Sequence, residues 1–96
     1  MNDYDSIRDI LEKALEETKV QLDVESRELA QYTAERALIL SSLVGQPGYN
    51  EAVIAERDNV LLKAGILGAS QSDGAQQRII GIITGVLGLG AQVLAG

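Results

Sequence analysis

Apolar residues in the first half of the chain recur at helical spacing. Leu15, Leu22 and Leu29 fall seven apart, Arg36 takes the next place, and Leu43 resumes the series. Leu11, Thr18, Glu25, Tyr32 and Ile39 fill the alternate position of the same stripe, and Ile7, Ile10, Ala14, Ala37, Leu38 and Leu40 widen it. This is the pattern of a coiled-coil or bundle helix with polar interruptions at Thr18, Glu25 and Arg36. No Gly or Pro occurs between Asp5 and Val44, and strong helix formers dominate. Asp3, Asp5 and Ser6 suit the start of such a helix, and Asp9 and Glu12 suit its positive end. The spacing predicts one long helix over about 5–44, with a length of roughly 60 Å.

The pattern then breaks. Gly45 is a natural residue to follow a helix C-terminus, and Pro47-Gly48 is the centre of a type II turn. Asn50 suits the cap of a second helix over about 51–67, in which Val53, Val60 and Leu67 are seven apart. Gly45, Pro47, Gly48 and Tyr49 thus mark a hairpin turn over 45–50. Tyr49 there is either an exposed contact at the tip or a staple onto Val53 or Ile54. Gly68 to Gly74 reads as a connector or kink. A further helix is predicted over about 75–95, and whether it continues the preceding one is left open.

That last segment changes character. Ile79 to Gly96 carries no charge in eighteen residues, nine of which are Ile, Leu or Val. Gly81, Gly85 and Gly88 lie along one side, and Gly81-Ile82-Ile83-Thr84-Gly85 is a GxxxG, a spacing that lets two helices approach closely. Its interior glycines cost roughly 3–4 kcal/mol relative to alanine, so it needs packing or lipid to be stable. The run sits at the lower limit for crossing a bilayer and has no aromatic or basic anchors.

Composition narrows the function. The net charge is −6, with ten acids against five bases between Met1 and Arg36. Nucleic-acid binding is not expected from bases scattered singly in an acidic chain. Cysteine and histidine are missing, as are Trp and Phe. Without histidine, the commonest general base and metal ligand are gone. The paired acids Glu25 and Glu28, or Glu12 and Glu16, have bases interleaved and read as solvated faces. No Walker loop, dinucleotide fingerprint or calcium loop is complete. An enzyme is not expected, nor is a cofactor or a metal. The acidic start, Met-Asn-Asp-Tyr-Asp, does not read as a secretory signal, so synthesis in the cytoplasm is expected.

The sequence therefore predicts a single all-α domain over 1–96, arranged as an elongated hairpin or two- to three-helix rod. A rod with so long a helix has little core per residue and calls for neighbours. The expected function is structural, a homo-oligomer assembled by helix packing through Leu15, Leu22, Leu29, Ile39, Leu43, Gly81, Gly85 and Gly88. Components of virus or phage particles or secretion needles are analogous in architecture. The alternative is a membrane-active protein inserting 79–96, and a second alternative is a soluble helical adaptor.

Overall fold

The computed structural model describes residues 3–19, 22–66 and 73–96. They form four helices: α1 (Asp3–Thr18), α2 (Ser26–Ser41), α3 (Tyr49–Ala64) and α4 (Asp73–Ala95). No strand occurs among the described residues. The all-α expectation holds, but the elongated rod does not. The radius of gyration is 12.7 Å and the principal extents are 36 × 30 × 17 Å. About 13 Å is what a compact chain of this size adopts.

The difference lies between Thr18, where α1 ends, and Ser26, where α2 begins. The expected long helix is two helices, α1 and α2, that fold back on each other. Thr18 turns its hydroxyl onto the Leu15 carbonyl at 2.6 Å, and Lys19 takes a left-handed conformation with φ 55°. Thr18, Val20, Asp23 and Val24 are all weak helix formers, two of them Val and one Thr with restricted χ1. Their combined preference yields to the gain from burying α1 against α2. The Asp23 N–H donates to the Ala64 carbonyl at 3.0 Å, which ties the break to the end of α3. The α1–α2 fold-back is antiparallel, with Arg27 reaching Glu12 at 3.4 Å and the Tyr4 hydroxyl donating to the Gln31 carbonyl at 3.4 Å.

The turn after α2 forms as its residues dictate. Gly45 and Gly48 adopt φ 81° and 88°. Gly48 has ψ 1°, and the Tyr49 N–H donates to the Gln46 carbonyl at 3.2 Å, as in a type II turn. Gly48 is also the N-cap of α3, which places Asn50 inside the first turn and not at the cap. At the far end, Gly65 has φ 76°, its N–H donates to Leu62, and that of Ile66 donates to Leu61. This is a Schellman motif, and buried Ile66 packs where the motif wants an apolar residue. Leu67, the expected end of this helix, and most of the 68–74 connector lie outside the described residues.

The core is drawn from all four helices. α2 and α4 form the central pair, each in contact with both α1 and α3. Leu11 and Leu15 of α1, Leu29 and Leu40 of α2, and Val60 and Leu61 of α3 meet Ile79, Ile83 and Leu87 of α4. Ala30, Ala34 and Ala37 give α2 a fully buried stripe of small residues, so neighbouring helices approach closely. Thr33 is buried among them with its hydroxyl satisfied by the Leu29 carbonyl at 2.8 Å. With its own core, the chain does not need neighbours on grounds of length.

Candidate interface on the outer face of α4

α4 is 23 residues long and its described side chains are almost all uncharged. One side of it is the centre of the core: Ile79, Ile83, Leu87 and Ala91 are fully buried, and Gly90 is closed in by Ile7 and Ala37. Away from that side the helix is largely open among the described residues. Leu89 is 66 % exposed and Val93 42 %. An added Cβ at Gly81, Gly85 or Gly88 would meet no atom within 4 Å among the described residues. The missing side chains of these glycines are therefore not required by contacts among the described residues. The core is served by the Ile/Leu stripe and by Gly90, which the sequence reading did not single out.

Beside the glycines runs an apolar groove between α4 and α1. Ile7 and Ile10 form one wall and Val86, Leu89 and Val93 the other, with Gly90 at the floor and Asp3 and Ser6 at one end. Ile10 is 61 % exposed. A second depression continues along the same two helices, lined by Ala14, Glu17 and Thr18 of α1 and by Arg78 and Ile82 of α4. Asp3 lies near Val93 and Glu17 near Arg78, so the helices run antiparallel and the groove follows them both.

The remaining residues expected to pack between helices divide in two. Leu15 and Leu29 are buried in the chain's own core, and Leu22 packs against it half-buried. Ile39 lies on the outside of α2 and Leu43 in the turn that follows it, exposed by 50 % and 38 %. Ile39 falls away from the inward side of α2, which carries Leu29, Thr33, Ala37 and Leu40. Tyr49 is neither a free tip nor a staple alone. It begins α3, packs against the core half-buried, and its hydroxyl donates to the Gly88 carbonyl at 3.2 Å.

The charged surface is largely self-paired. Arg8 lies against Asp5 and Asp9, Arg27 against Glu12, Arg57 against Asp58, and Lys63 against Glu28. Arg36 grips Glu56 with two donors, and the hydrogen bond to that carboxylate, chiefly, raises its pKa further above the usual guanidinium value. Tyr32 lies beneath two cations, 5.8 Å from Arg36 and 5.0 Å from Lys63. The Arg36–Glu56 and Lys63–Glu28 pairs fasten α2 to α3. Among the described residues no three metal-ligating side chains converge.

No protein-family model matches this chain, and no curated protein or solved structure matches it either.

Proposed function

We propose that this chain is a non-enzymatic structural module that associates with further copies of itself through the outer face of α4 and the adjoining α1 groove. One observation carries the reading. A nearly uncharged helix is buried along one side and largely open along another, where Leu89, Val93 and Ile10 project into solvent together. Contiguous apolar surface of this kind marks an interaction site. The unobstructed glycines beside it suit a closely approaching helix. A building block of a larger assembly, such as a virus or phage particle, fits a chain with these features and no chemistry-bearing cluster. Leu89→Asp tests it: the variant keeps its helical content and melting behaviour but loses self-association in light scattering. Unchanged association in Leu89→Asp counts against this face.

A second reading has its own observation. Gly74–Ala95 is long and apolar enough to cross a membrane, and only 28 % of an 18-residue apolar window within it is buried in the fold. Its length is about 33 Å as a helix, against about 30 Å for a hydrocarbon core. We rank it second because Ile79, Ile83 and Leu87 are the middle of the four-helix core. Insertion of α4 has to dismantle that core first, whereas docking of a second copy leaves it intact.

A further inference from the structure

The groove between α1 and α4 has a polarity that self-association through α4 does not by itself require. On α4 its wall is an i, i+4, i+8, i+11, i+15 line: Arg78, Ile82, Val86, Leu89 and Val93. Asp3 closes the end near Val93, and Arg78 stands at the other end. Among the described residues neither Asp3 nor Arg78 has an ion-pair partner, in a chain whose other bases are mostly paired. Glu17 shares Arg78's end of the groove but lies beyond ion-pair distance.

We propose that this groove is an isologous two-fold seam in which a second copy packs its α4 antiparallel, so that Arg78 of each copy meets Asp3 of the partner subunit. The inference rests on the reading that α4 binds a second copy and adds its direction and register. Charge complementarity selects the direction. In an antiparallel pair, position 78 of one copy lies opposite position 93 of the other, which is where Asp3 waits. A parallel pair places Arg78 against Arg78 and leaves Asp3 unmatched. The two-fold axis then crosses the seam between Gly85 and Val86, where the missing Gly85 side chain lets the two helices come close. Ile82 of one copy faces Leu89 of the partner subunit, and both apolar walls are covered. Self-complementarity of one patch is what two-fold symmetry demands.

The test is a charge exchange on the full chain, read by sedimentation equilibrium in detergent-free buffer, with circular dichroism as a check on folding. Arg78→Glu and Asp3→Lys, each made alone, weaken dimerisation by roughly ten- to a hundredfold, because symmetry makes each change count twice. The two changes together return the affinity to within about threefold of the original chain. Cysteine scanning gives a second readout, since the chain has no cysteine of its own. Ile82→Cys chains mixed with Leu89→Cys chains form a disulfide across the axis. Val93→Cys chains do not cross-link to one another, since those positions lie about 22 Å apart along the seam. If Leu89→Asp abolishes association while both charge reversals and the cysteine pattern show no effect, α4 still binds a copy but the antiparallel seam is wrong. A chain that is monomeric at every concentration overturns both readings. Binding of that monomer to phosphatidylcholine vesicles makes lipid the occupant instead.

Discussion

Arg36 on α2 and Glu56 on α3 form a two-point ion pair, with Nη2 donating to Oε1 at 2.7 Å and Nε donating to Oε2. Arg36 is the residue that interrupts the leucine heptad, and the interruption has a use: it cross-braces the two helices joined by the Pro47 turn. Both side chains are mostly shielded, 27 % and 13 % exposed, so the pair exceeds an ordinary surface bridge. Glu56→Ala is expected to cost about 1–2 kcal/mol in urea denaturation, and a double-mutant cycle with Arg36→Ala to give a coupling of about 1 kcal/mol. A coupling near zero would mean that solvent screens the pair.

Gly65 is fixed by backbone and by space together. Its φ is 76°, and a Cβ there would run into the Asp23 carboxyl. Gly48 has a similar φ but open surroundings. Gly48→Ala is therefore expected to cost about 1 kcal/mol and Gly65→Ala about 2–3 kcal/mol. Equal losses at the two sites would show that the Asp23 contact yields freely.

The outward glycines separate fold stability from association. With nothing near their missing side chains, Gly81→Ala and Gly85→Ala should raise the stability of the single chain by about 0.5–1 kcal/mol each through helix propensity. The same changes should weaken self-association, because the added methyl holds the second helix away. Gly90→Ala behaves differently, since its Cβ would sit 3.3 Å from Ile7 and 3.4 Å from Ala37 and gains no such stability. Thermal melts at low concentration, set beside light scattering at high concentration, distinguish the two effects. Stronger association in Gly85→Ala would contradict the close approach.

Tyr49 ties the start of α3 to the middle of α4 through one hydrogen bond, hydroxyl to the Gly88 carbonyl. Tyr49→Phe keeps the ring's packing and loses the bond. A destabilisation of about 0.5–1.5 kcal/mol is expected in denaturant titration, and no loss at all would mean that water replaces the hydroxyl.

Tyr4 gives a pH dependence. Burial chiefly, and then the Glu35 charge, push its phenol above its ordinary pKa of 10.0. The neutral form is favoured in the fold, where the hydroxyl donates to Gln31. The stabilisation is therefore complete below pH 10 and is lost as pH rises through the folded-state value. Tyr4→Phe should flatten that part of the alkaline stability profile, measured by denaturation at successive pH values.

Much of the helical content and the whole of the 45–48 turn were legible in the sequence, because Gly45, Pro47 and Gly48 fix backbone angles locally. The break between α1 and α2 was not, since Thr18, Val20, Asp23 and Val24 disfavour a helix only mildly and no Gly or Pro marks the place. Tertiary burial of Leu11 and Leu15 against α2 decides it, which a heptad pattern does not report. α4 was legible as a helix needing burial. Which side goes inward was not, because a nearly uncharged helix has no continuous polar face to orient it. The structure buries Ile79, Ile83 and Leu87 and leaves Gly81, Gly85 and Gly88 open, so the glycines are available to a partner and not to the core.

The open side of α4 is the centre of this interpretation, and the native mass of the unmodified chain in detergent-free buffer tests it most directly. Sedimentation over a range of concentrations should show a reversible approach to a whole-number multiple of the single-chain mass. A chain that stays a single copy throughout, folded and soluble, would contradict self-association through α4.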